Sequence, residues 1–137
     1  MKPMIYMAGP CPVPDLGLQW RLDLSRKLSK DGIIGLNPLR NQRGINDKLY
    51  TDRMVTELDL MDISKCDLLF ANFLEDNNVL SKGTILEIGY ALGLGMPVVV
   101  AINKNNPNEH FMIENSAIAY MDNMEDALEI INNILLV

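Results

Sequence analysis

Six consecutive residues, Pro97-Val98-Val99-Val100-Ala101-Ile102, set the tightest limit on how this chain can fold. The run is apolar throughout and rich in β-branched residues, so it reads as a strand. Neither side of its pleat is polar, so both faces must be covered, as in parallel sheets flanked by helices. Similar runs stand at Pro3–Ala8 (PMIYMA), Ile33–Leu36 and Asp67–Phe73 (DLLFANF), with a short fifth around Ala117–Met121. Helical stretches alternate with them. Leu16–Lys30 carries Leu16, Trp20, Leu24 and Leu28 at i, i+4 spacing. Asp47–Ser64 has an apolar face of Tyr50, Met54, Leu58 and Met61. Thr84–Leu94 ends at Gly95, and Asn123–Leu136 turns Ala127, Ile130, Ile131 and Ile134 inward. A short helical or irregular piece precedes the fifth strand. The loops are Cys11–Asp15 with two prolines, Asn41–Asn46, Glu75–Lys82 and Asn103–Glu109.

Strands alternating with helices imply βαβ units. The expected fold is α/β: one doubly wound, Rossmann-like or flavodoxin-like domain over residues 1–137, its five parallel strands in the order 2-1-3-4-5. Ligands then bind beyond the carboxyl ends of the strands, where strands one and three diverge. The positions to watch are Tyr6 and Gly9 after strand one, Asn37 and Arg40 after strand two, Asn72 after strand three, and the helix start near Thr84.

Composition removes several functions. A net charge of −6, from 18 acidic and 12 basic residues, opposes binding to nucleic acid, which needs clustered Lys and Arg. The longest apolar run, Met96–Ile102, is too short for a bilayer, and the first residues lack the pattern of a signal peptide. Cys11 and Cys66 make neither a disulfide framework nor a zinc quartet, so a reduced, cytoplasmic protein with no metal is expected. Gly89, Gly93 and Gly95 close a helix rather than open one after a strand, which argues against a dinucleotide cofactor. No cofactor is expected.

Ser81-Lys82-Gly83-Thr84-Ile85-Leu86-Glu87 is the most informative segment. On pattern alone Thr84-x-x-Glu87 reads as a capping box, with Thr84 at the N-cap. The functional reading uses the same geometry: a carboxylate at the helix start stays ionised and can attack an electron-poor carbon. Cutting a glycosidic bond needs a second carboxyl group. Asp59 and Asp62, one turn apart, are candidates, though helical aspartates are usually solvated. Asp67 reads as a boundary residue, Cys66 as a small apolar residue at a helix end, and the lone His110 as exposed or structural. Arg40 and Arg43 serve either solubility or contact with a phosphate or base.

Three strings carry a resemblance: Tyr6-Met7-Ala8-Gly9-Pro10; Asp59-Leu60-x-x-Ile63-x-x-x-Asp67-Leu68-Leu69-Phe70-Ala71-Asn72; and Ser81-x-Gly83-Thr84-x-x-Glu87-Ile88-Gly89-Tyr90-Ala91-Leu92-Gly93. Together they resemble the nucleoside 2-deoxyribosyltransferase family. That family includes base-exchanging transferases and N-glycosidases of nucleoside 5'-monophosphates. The resemblance favours function over capping at Glu87. It implies that Glu87 attacks C1' of the sugar, that Asp59 handles the proton of the leaving base, and that Tyr6 hydrogen-bonds the nucleophile. It further implies a homo-oligomer whose neighbouring subunit completes each site from the segment His110–Asn115. Gly9, Arg40, Ser81, Gly83, His110 and Asn115 are then the substrate-binding candidates. The base-exchanging members carry Asp six residues before the nucleophile, where this chain has Ser81, as the monophosphate hydrolases do. The family resemblance as a whole implies a 2'-deoxynucleoside substrate and transfer of its deoxyribose to another base. Ser81 makes hydrolysis of a nucleoside 5'-monophosphate the alternative, and a non-catalytic nucleotide-binding module is a further one.

Overall fold

A computed structural model describes residues 1–11, 14–43, 45–74 and 79–136. The strands are β1 (Met4–Ala8), β2 (Ile34–Leu36), β3 (Leu68–Asn72), β4 (Val98–Ala101) and β5 (Ala119–Met121). The helices are α1 (Pro14–Lys30), α2 (Asp52–Lys65), α3 (Lys82–Gly93), α4 (Phe111–Ser116) and α5 (Met124–Leu135). All strand pairings are parallel and the sheet order is β2-β1-β3-β4-β5, as the alternation of elements predicts. None of the described helices is long and apolar enough to cross a membrane.

Strand alternation divides the core in two. Ile5 and Met7 of β1, Leu68 and Phe70 of β3, and Val99 and Ala101 of β4 face α1 and α5. Trp20, Leu24, Leu28, Ala127 and Ile131 meet them there, with Trp20 edge-on to Phe70 at 6.4 Å. The residues between, Tyr6, Ala8, Leu69, Ala71, Val98 and Val100, face α2, α3 and α4. The period of two thus delivers Tyr6 to the side of the sheet that carries α2 and α3.

Element bounds shift for local reasons. Helix α1 begins two residues earlier than the periodicity suggests, at Pro14, because proline suits the first helical position. Pro12 and Val13 of the expected loop lie outside the described residues, as do residue 44 of the loop 41–46, residues 75–78 of the loop 75–82, and the Leu16 side chain. Helix α2 begins at Asp52 rather than Asp47, with Thr51 as its N-cap accepting from Met54 N at 3.2 Å. Its expected apolar face is also corrected. Met54 and Met61 are exposed, and Tyr50 precedes the helix. The inward positions are Asp59, Asp62, Ile63 and Cys66, three and four residues apart, because ion pairing lets a carboxylate go inside. Gly95, at φ +74°, takes the left-handed conformation that ends α3 before β4.

Candidate active site

Beyond the carboxyl ends of β1 and β3 lies a cleft of about 280 Å³, lined among others by Gly9, Asp59, Ser81, Gly83, Thr84 and Glu87. Glu87 projects from the second turn of α3. The Tyr6 hydroxyl, delivered from β1, donates to Glu87 Oε2. Asp59 enters from α2, and its Oδ1 is buried with no hydrogen-bond partner among the described residues.

Burial, chiefly, pushes the Glu87 carboxyl up to about 7; the Asp59 charge adds to the rise, while the Tyr6 bond and the Arg21 guanidinium oppose it. Burial also pushes Asp59 up to about 6, with the Asp62 carboxylate adding and Arg43, Arg21 and Arg40 opposing. Burial and the two facing carboxylates raise the Tyr6 hydroxyl well above its ordinary value, so Tyr6 is a hydrogen-bond donor and not a phenolate.

The helix start differs from the Thr84 capping box. Ser81 is the N-cap of α3, and its hydroxyl accepts from Thr84 N at 3.4 Å and bonds Thr84 Oγ1 at 2.7 Å. The cap lies one turn earlier because Ser81 is also held from outside: its N–H donates to Asn108 Oδ1 at 2.8 Å. Glu87 therefore sits past the first turn, and burial outweighs the positive helix end in setting its charge. Two glycines shape the cleft differently. A Cβ on Gly9 would lie 2.8 Å from the Asn72 carbonyl oxygen and 3.0 Å from Trp20, so close packing requires glycine there. A Cβ on Gly83 would meet nothing within 4 Å, so Gly83 leaves open space at the first turn of α3.

A tyrosine, a glutamate and an aspartate meeting above a parallel sheet call for comparison with known proteins. The sequence model for nucleoside 2-deoxyribosyltransferases matches residues 5–126. The chain belongs to this family. No curated protein matches its sequence. Three solved structures share the fold. A conserved protein from Enterococcus faecalis V583 is 23% identical with a TM-score of 0.78, covering 98% of this chain and 100% of its own. A 2-deoxyribosyltransferase from Bacillus psychrosaccharolyticus is 24% identical with a TM-score of 0.69, covering 90% and 88%. A CMP N-glycosidase from Clostridium botulinum is 18% identical with a TM-score of 0.61, covering 96% and 98%.

Other residues that the family resemblance singled out lie apart from this cleft. Arg40 forks onto Asp62 at 2.7 and 2.8 Å and also donates to the Asn37 carbonyl. Arg43 reaches the same carboxylate at 2.8 Å. Asp62 is thus a buried, twice-paired anchor that joins the segment after β2 to α2. His110 is the N-cap of α4, where Nδ1 accepts from Met112 N at 3.1 Å and the ring stacks on Phe111. It borders a second, more apolar hollow of about 370 Å³ with Leu80, Ile85 and Met112. Asn115 is exposed and donates to the Phe111 carbonyl within α4. Cys66 ends α2, buried, with its thiol pushed up to about 12 by burial, and Asp67 accepts from Met4 N at 2.8 Å at the far end of the sheet.

Sequence reasoning missed Arg21 and the Asn106–Asn108 pair. Arg21 is 2% exposed and belongs to the inward stripe 17, 21, 24, 28 of α1, so a charge on an apolar helical face was the available signal. Asn106 donates to the Phe73 carbonyl at 3.1 Å, and Asn108 donates to the Val79 carbonyl at 2.8 Å. Asn106 thus ties the loop after β4 to the end of β3, and Asn108 ties it to the start of α3. Nothing in their spacing marks them out within an asparagine-rich loop.

Proposed function

We propose that the protein cleaves the N-glycosidic bond of a 2'-deoxynucleoside and passes the deoxyribose to another base. The observation that carries this reading is the Tyr6–Glu87 hydrogen bond in a cleft that also holds Asp59. Membership in a family of enzymes with this chemistry supports it. In the first step a Glu87 oxygen attacks C1', a C1'–O bond forms, and the C1'–N bond breaks. The bonding electron pair leaves on the base nitrogen, which takes a proton from Asp59. In the second step a nitrogen of the acceptor base attacks C1' as its proton passes to the Asp59 carboxylate. The C1'–O bond breaks and Glu87 leaves as carboxylate, so configuration is retained. Asp59 suits its role because burial holds its proton to higher pH than usual and leaves one oxygen without a partner. Tyr6 fixes the Glu87 rotamer from the strand.

A second reading, hydrolysis of a nucleoside 5'-monophosphate, rests on Ser81. A carboxylate there would repel a 5'-phosphate, whereas a serine hydroxyl beside open backbone at Gly83 tolerates one. His110 and Asn115 would then reach the pocket of a neighbouring subunit in a homo-oligomer. Exposed Leu86, Phe111 and Met112 give that contact an apolar surface.

The test is incubation with deoxynucleosides and their 5'-monophosphates, with and without an acceptor base, following base release and exchange. Intact-mass measurement of the wild-type chain mixed with a deoxynucleoside and no acceptor base should find the chain plus one deoxyribosyl group, and Glu87→Ala should show none. Exchange supports transfer, and base release independent of acceptor supports hydrolysis. Binding without turnover would leave only a nucleotide-binding module.

A further inference from the structure

Arg21 is a guanidinium buried on α1 with an unusual set of partners. Nε donates to the Met7 carbonyl at 2.9 Å, Nη1 to the Gly17 carbonyl at 2.7 Å, and Nη2 to the Gly9 carbonyl at 2.9 Å. Its Cζ lies over the Trp20 ring, 4.5 Å from the centroid. Among the described residues no carboxylate pairs with it directly. A buried cation without a contacting anion is costly unless negative charge lies close by. Met7 adjoins Tyr6, and Gly9 itself lines the cleft of Asp59 and Glu87, so the fork grips the backbone that borders that pair.

We infer that Arg21 is a positioning residue of this site. Its fork holds the turn after β1 in place, and its buried charge is the counter-ion of the Glu87 and Asp59 carboxyls. This rests on the catalytic reading of Glu87 only for its kinetic consequence. The groups facing Glu87 are Tyr6 from β1, Asp59 from α2 and Arg21 from α1. Those facing Asp59 are Asp62 on its own helix, Arg40 and Arg43 from the segment after β2, and Arg21. Arg40 and Arg43 already pair with Asp62. Arg21 is therefore the one charge opposing Glu87 among these groups.

The direct test is an NMR titration of the Glu87 carboxyl, assigned by its loss in Glu87→Gln. Arg21→Met should raise the midpoint by about one pH unit, while Arg21→Lys, which keeps the charge and loses the fork, should stay near wild type. An unmoved midpoint in Arg21→Met overturns the inference, as does an equal shift in Arg21→Lys. If Arg21→Met does not fold, the same substitution is made with Glu87→Gln. Folding restored there supports the counter-ion role, and a chain still unfolded refutes it. Where turnover is found, the acid limb of kcat/KM in Arg21→Met should move up with the titration, lowering the rate about tenfold on that limb. A chain with no turnover at all would sink the catalytic reading, and the titration would still decide the role of Arg21.

Discussion

The two faces of the sheet are built to different rules. The face under α1 and α5 is close to purely apolar: Ile5, Met7, Leu28, Phe70, Val99 and Ile131 are buried there, with Arg21 at its margin. The face under α2 and α3 buries Tyr6, Asp62 and Thr84 among its aliphatics and half-buries Asp59 and Glu87. Burying acids lowers stability unless they are paired, and of these three acids Asp62 alone has an ion pair among the described residues. The first face holds the molecule together, while the second accepts a loss of stability to keep two carboxyl groups protonatable near neutral pH.

The comparison is broken most severely at Glu87. Glu87→Ala should lower turnover by several orders of magnitude with the fold retained, as steady-state rates and circular dichroism would report. Retained activity would mean that the two faces do not divide the labour.

Next come the folding anchors. Asp62→Ala strands two guanidinium groups against α2, and a loss of about 3–5 kcal/mol is expected by urea denaturation. Ile131→Ala on the other face should cost about 2–4 kcal/mol and leave kcat/KM per folded molecule unchanged. Equal damage to activity from both would erase the distinction.

Acidity sharpens the contrast with a smaller effect. The folded Glu87 holds its proton up to about 7, well above the ordinary glutamate range. Between those limits the folded chain binds more protons than the unfolded chain, so stability falls as pH rises through the window. For a half-buried, partly screened carboxyl the fall should be about 1–2 kcal/mol, and Glu87→Gln should reduce the fall seen in thermal melts between about pH 5 and 8 to the part that Asp59 contributes. The same groups predict a narrow bell in kcat/KM, centred between about 6 and about 7. The smallest expected change is Ser81→Asp. Aspartate caps helices as well as serine, so stability should hold, while 5'-monophosphate turnover falls relative to free nucleoside.

The fold was legible because strands such as Val98–Ala101 are uniformly apolar, and a parallel sheet between two layers of helices covers both of their faces. The core residues of α5 were legible for a related reason: Ala127 and Ile131 are inward and no charge competes for that face. Helix α2 was misread because its inward stripe contains two aspartates, and apolar periodicity points to Met54 and Met61 instead. Ion pairing between segments about twenty residues apart leaves no periodic trace. Glu87 was legible through its family motif. Arg21 was not, since its partners are backbone carbonyls, which any sequence supplies.

The alternation along β1 restricts how this protein can change over time. Ile5 and Met7 point one way and Tyr6 the other, so one residue inserted or deleted within the strand would swap the sets. The hydroxyl that meets Glu87 would be replaced by a side chain meant for the opposite core. Point replacements at Ile5 or Met7 can drift among aliphatic residues of similar volume. Changes in length are closed to β1, and length variation among descendants should collect in the loops.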